Sequence, residues 1–157
     1  MAFTRLFLFF TLIAYSVIVS QSFMYIIALK NVQTNLRAGP YIELRKLLDA
    51  GFRANFKFAV YATLLFNLLL LISTGRFPGS LLFFTSLIGF IALVADVLLA
   101  LKGNVPINDL INSWTTENYP RDWATYRTKW LNIFLYRQVC NITGFTSLLA
   151  GAIFGSR

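Results

Sequence analysis

The chain has no histidine among its 157 residues. It therefore lacks the side chain that most often acts as a general base near neutral pH, and the nitrogen ligand that most often holds zinc, copper or haem iron. A single cysteine, Cys140, excludes an internal disulfide, and with only two methionines there is no soft-metal ligand set. Acidic residues are also few: six Asp and Glu, none of them grouped to hold a pair of metal ions. There is no Ser-His-Asp set, no glycine-rich phosphate loop and no basic stretch with interleaved exposed aromatics. Metal sites, cofactors and a nucleic-acid partner are therefore not expected.

Charge of both signs amounts to 13% of residues, against about 25% in a soluble domain. A water-facing surface cannot be built from so little. What fills the chain is apolar: 57% of residues are hydrophobic, sixteen are Phe, and the mean hydropathy is +0.66. Four apolar stretches, residues 6–29, 58–73, 81–101 and 130–154, approach the roughly 20 residues with which a helix crosses about 30 Å of hydrocarbon. Leu64 to Ile72 holds one polar residue, Asn67, so it shows no solvent face at the 3.6-residue period. The sequence thus predicts an all-α fold in a single domain over residues 1–157, a four-transmembrane-helix antiparallel bundle in a lipid bilayer. The first stretch also has features of a secretory signal, with Arg5 ahead of it and Ser20-Gln21-Ser22 as a cleavage site. Its apolar run continues through Phe23 to Ile27, which favours a retained helix.

Gly75, Pro78 and Gly79 make a tight turn of residues 74–80, so the second and third stretches are antiparallel neighbours. The other two connections, residues 30–57 and 102–129, are long and share one side. In the first, Gly39-Pro40 predicts a break. Beyond it Tyr41, Leu44, Leu48 and Phe52 fall opposite Glu43, Arg45, Lys46 and Asp49, as in a helix lying in the membrane interface or one packed on the partner connection. In the second, Pro106 suits the first turn of a short helix ending near Trp114. Asp122 is placed to cap a helix that runs from Trp123 into the membrane.

Fourteen Lys and Arg give a net charge of +8. Six of these bases lie in residues 30–57 and four in 102–129, against Arg5, Arg76 and Arg157 at the other end. The positive-inside rule then puts both long connections in the cytoplasm and both termini outside, in a cell (inner) membrane.

Ionisable side chains within spans are costly and mark function or a structural pair. Asp96 lies six residues before Lys102 and Arg137 eight after Lys129, so both sit roughly 9 to 12 Å inside one boundary. Gln21, Asn67 and Asn141 fall about 13, 15 and 18 Å in by the same rise. Arg137, Asn141 and Gly144 share a helix face. One reading is a buried ion pair with interhelical amide bonds. The other is a pocket for a small, partly polar molecule, with Trp114, Trp123, Tyr126 and Trp130 at its mouth, unless these tryptophans form an interfacial belt. Gly151 and Gly155 make a small-xxx-small surface suited to packing inside the bundle or to dimerisation. The sequon at Asn141 lies within a helix and is expected to be unused.

Asn104-Val-Pro106-Ile-Asn108, followed by Asp122-Trp123, Arg127, Trp130 and Arg137, resembles the signature of a family of small four-helix integral membrane proteins, a domain of unknown function that includes anthrone oxygenases. The resemblance spans four helices in the same order, and its specific motif covers about residues 104–137. The resemblance implies a site at Asn104, Asn108, Trp123, Arg127, Trp130 and Arg137. Two functions compete. One is cofactor-independent oxygenation of a phenolic, anthrone or quinone-type substrate, with Asp96 as base and Arg127 or Arg137 stabilising the oxyanion. The other is binding of a small hydrophobic, aromatic or lipid-like molecule, with Gln21 and Asn141 added to the site, by a protein that acts alone, as a homo-oligomer or as an accessory subunit beside a membrane partner. A transporter is disfavoured, because no broken helices or inverted repeat are visible.

Overall fold

Long runs of Leu, Phe, Ile and Ala, with only four prolines to interrupt them, favour continuous helix. The computed structural model describes residues 2–155 and is all-helical, with no strand among them. Its helices are α1 (Ala2–Met24), α2 (Lys30–Asn35), α3 (Ala38–Gly51), α4 (Lys57–Thr74), α5 (Leu81–Leu99), α6 (Val105–Asn112) and α7 (Trp123–Phe154). Three single π-helical turns, Tyr25–Leu29, Phe52–Phe56 and Ala100–Asn104, join α1 to α2, α3 to α4 and α5 to α6 without a break.

The expected long loops are therefore mostly helix. Ala2–Asn35, Ala38–Thr74 and Leu81–Asn112 are three continuous helical stretches long and apolar enough to cross a membrane, and they mark a membrane protein. The fourth expected stretch, residues 130–154, lies within α7 and is not among these three, because Arg137, Gln138, Asn141 and a run of Thr and Ser dilute its apolar character. The break expected at Gly39-Pro40 falls instead at Leu36 and Arg37, both extended. Pro40 sits in the first turn of α3, where no intrahelical partner awaits its missing N–H. Asp122 does precede α7, but its side chain makes no capping bond.

Contacts run from α1 to α4, α4 to α5, α5 to α7 and α7 back to α1, with the α5–α7 seam the most extensive. Glycine makes that seam close. A Cβ on Gly151 would collide with Thr85 of α5 and one on Gly89 of α5 with Leu148, while on the side of α1 one on Gly144 would collide with the Tyr15 hydroxyl. Of the two readings of Gly151 and Gly155, packing within the molecule is the one observed, since both meet Leu82. Polarity is inverted relative to a soluble protein. Thr11, Ser22, Thr63, Asn67, Ser86, Asp96 and Asn141 are buried, while Phe9, Ile13, Leu65, Ile72, Ile91, Val139 and Phe154 are exposed. Such a surface suits lipid and not water.

At one end α3 packs on α6, and the α2–α3 junction meets the start of α7. The face that α3 buries is not the expected one. Tyr41, Ile42, Arg45 and Asp49 point inward, while Leu44, Leu48 and Phe52 are only half-buried and Leu47 is 74% exposed. Hydrogen-bond partners on α6 outweigh the apolar pattern, because the inward Asp49 is met there by two asparagine amides.

Candidate functional site

The stripe Trp130, Phe134, Gln138, Asn141, Gly144, Leu148 and Gly151 recurs every three or four residues on α7 and turns these side chains inward. Opposite Asn141 the buried face of α5 ends in Asp96, 2% exposed. Arg137 donates through Nε to Asp96 Oδ1 at 2.7 Å, and Asn141 Nδ2 donates to the same oxygen at 3.1 Å. The two ionisable groups expected at one depth are therefore in contact. Arg137 also donates to Asn104 Oδ1 at 3.3 Å, and Asn104 Nδ2 donates to the Trp130 carbonyl at 3.0 Å.

Asn104 belongs to a ladder. Asn104, Asn108 and Asn112 recur every four residues from the Ala100–Asn104 π turn through α6, which stacks three amides along one face. Asn108 is the central rung. Its Oδ1 accepts from Arg45 at 2.7 Å and from the Trp130 indole N–H at 2.8 Å, while its Nδ2 donates to Asp49 Oδ1 at 2.8 Å. Asp49 Oδ2 accepts from Asn112 at 2.7 Å and from Arg53 at 2.8 Å. Arg53 in turn pairs with the Asp109 carboxylate, which holds its guanidinium pKa above the usual value.

Arg45 is 2% exposed and touches no carboxylate among the described residues. It donates to Tyr25 Oη at 3.1 Å, and Gln33 donates to the same hydroxyl at 2.8 Å. Its guanidinium carbon stands 3.9 Å from the centroid of the Trp130 ring, which itself stacks on Phe134. Among the described residues three buried polar atoms in this neighbourhood lack a partner: Arg45 Nε, Gln33 Oε1 and Tyr41 Oη. Burial pushes the Tyr41 phenol up to about 12 against the pull of Arg45, so it stays a neutral hydroxyl.

Arg127 does not join Asp96 and Arg137. Ten residues of helix separate it from Arg137, a rise of about 15 Å. It donates to the carbonyls of Gln33 and Leu36 at 3.1 and 2.9 Å, closing the end of α2, with its guanidinium 4.7 Å from the Trp123 ring centroid and 5.8 Å from that of Tyr41. Gln21 stands apart as well. It is half-buried with an unpartnered Oε1, and it is Ser22 whose carbonyl meets α7, accepting from Gln138 at 3.0 Å. The expected aromatic mouth is a packed core: Trp114 and Trp130 are buried with Tyr25, Tyr41, Ile107 and Ile111, flanked by Trp123 and Tyr126. Sequence reasoning missed Tyr25, Gln33, Arg45 and Asp49. The only available signal was the four-residue spacing of Tyr41, Arg45 and Asp49, which an apolar-face reading of α3 overrides.

At the opposite end of the molecule a cavity of about 760 Å³ opens between the ends of α1, α4, α5 and α7. Set against known proteins, the chain matches no family model, no curated protein and no solved structure.

Proposed function

We propose that the chain is an integral membrane protein with four antiparallel spans, both long connections on the cytoplasmic side of a cell membrane, and that it binds a small hydrophobic molecule at the connection end. Support for a fourth span comes from the outward apolar residues Leu135, Val139, Ile153 and Phe154 of α7. The ten bases of the two connections support the orientation.

The observation that carries the binding reading is Arg45, a buried cation with a free Nε–H and no carboxylate partner, set among Tyr25, Tyr41 and Trp130. A buried guanidinium left with an unmade bond is costly, and a ligand oxygen relieves that cost. An aromatic or lipid-like molecule bearing a carbonyl, phenolate or carboxylate oxygen offers that donor an acceptor and the surrounding aromatic side chains an apolar surface. Titrating the solubilised chain with decyl-benzoquinone, read by quenching of Trp130 in a W114F/W123F background, tests this. Arg45→Gln is expected to weaken binding roughly tenfold or more, and Gln33→Leu to weaken it less. Unchanged affinity in both variants counts against the site.

A second reading is the oxygenase-like activity that the resemblance implies. One observation favours it: Asn104, Asn108, Trp130 and Arg137, four of the six residues concerned, are linked in one hydrogen-bonded set. Binding stays ahead because Asp96 is already engaged by two donors and Arg127 stands apart. Oxygen consumption with an anthrone substrate, no higher than in an Arg137→Ala control, removes the enzyme reading.

A further inference from the structure

The cavity between the ends of α1, α4, α5 and α7 is lined by Leu8, Leu69, Leu82 and other apolar residues, with Gly151, Ala152 and Gly155 on the side of α7. Leu69 lies five residues before the end of α4, so the cavity reaches about 8 Å inward along that helix. Arg5 and Arg76 also line it, both exposed. Neither has a carboxylate within ion-pair distance among the described residues. No acidic side chain of the described residues is at hand: Glu43, Asp49, Asp109, Glu117 and Asp122 belong to the other end of the molecule, and Asp96 is bound to Arg137. The cavity is thus apolar within and doubly cationic at its edge, with no acidic side chain among the described residues to match.

We propose that it holds an acyl chain of one anionic phospholipid drawn from the surrounding bilayer, with the phosphate lying between Arg5 and Arg76. Guanidinium forks match phosphate oxygens. A zwitterionic headgroup brings its own ammonium and gains less from two cations. The apolar walls require a ligand with a hydrocarbon chain, which inorganic phosphate lacks. This site is independent of the one at Arg45.

The test is native mass spectrometry of the full chain taken from vesicles of equal phosphatidylcholine and phosphatidylglycerol. One retained phosphatidylglycerol is expected, preferred roughly tenfold over phosphatidylcholine by the two arginines. Arg5→Gln with Arg76→Gln brings the ratio near one, while Arg121→Gln, at the far end, leaves it unchanged. Should the double variant fail to fold by circular dichroism, Arg76→Gln alone, in the turn after α4, reduces the ratio. Ala152→Trp, which fills the cavity and leaves both charges, releases the lipid. No preference in the unmodified chain, an unchanged ratio without the arginines, or displacement of the lipid by excess inorganic phosphate each overturns the proposal.

Discussion

Arg45 and Asp49 lie one helical turn apart on α3 and do not pair; the amide of Asn108 stands between them, accepting from one and donating to the other. Opposite charges four residues apart usually meet directly. Here both are buried and each bonds one half of a neutral dipole on another helix, so one asparagine holds α3 on α6 and orients Trp130 through its indole N–H.

Replacing Asn108 with Ala leaves Arg45, Asp49 and Trp130 each short of a partner. Losing hydrogen bonds to two buried charges costs about 3 kcal/mol or more. Unfolding of the detergent-solubilised protein in a graded denaturant series measures the loss, and a change below 1 kcal/mol contradicts the bridging role.

Asp96→Asn or Arg137→Gln alone strands a buried charge and is expected to destabilise by about 3 to 5 kcal/mol. The double variant strands neither. It should recover a large part of the loss, so a double-mutant cycle reads a favourable coupling. Additive losses would mean that the pair acts through its other partners, Asn141 and Asn104.

The Tyr15 hydroxyl is buried without a partner among the described residues and fills the space where a side chain on Gly144 would project. Gly144→Ala is therefore strongly destabilising by overpacking, about 1 to 3 kcal/mol. Tyr15→Phe alone costs little, since the lost hydroxyl bonds nothing, and combined with Gly144→Ala it recovers stability. The same unfolding series checks the order of the four proteins.

Alkaline pH acts through Tyr41. Its pKa is raised from 10.0 to about 12 in the folded chain, so the folded state holds the proton longer than the unfolded one. The contribution is complete below pH 10 and is lost as pH rises from 10 to 12. Subtracting the pH profile of Tyr41→Phe from that of the unmodified chain isolates a fall in this window, and parallel profiles refute it.

Much of the site was legible where a polar residue interrupts an apolar run. Asp96 and Arg137 stand out against their neighbours, and constant helical rise places them at one depth, where they are found in contact. Asn104, Asn108 and Trp130 were likewise visible in a motif and prove to be joined. The partners on α1, α2 and α3 were not visible. Tyr25 reads as part of an apolar run and Arg45 as a base on the polar face of its helix, because nothing in their local sequence says that another helix will supply an amide or a ring. Arg127 misleads for the opposite reason. Its charge suggests chemistry, whereas its guanidinium closes the carbonyl end of α2.

The three π turns all fall where apolar helix gives way to the connection end. Each inserts one residue and so turns the helix on one side of it by about 100° relative to the helix on the other. The spans and the helices of the connection end, which cap them, are thus set out of phase. Because the offset is built into the backbone, deleting one residue from the Phe52–Phe56 turn would leave every span intact yet swing Arg45 and Asp49 away from the asparagine ladder. The length of the chain between lipid and cap, counted to the single residue, is itself part of what builds the site.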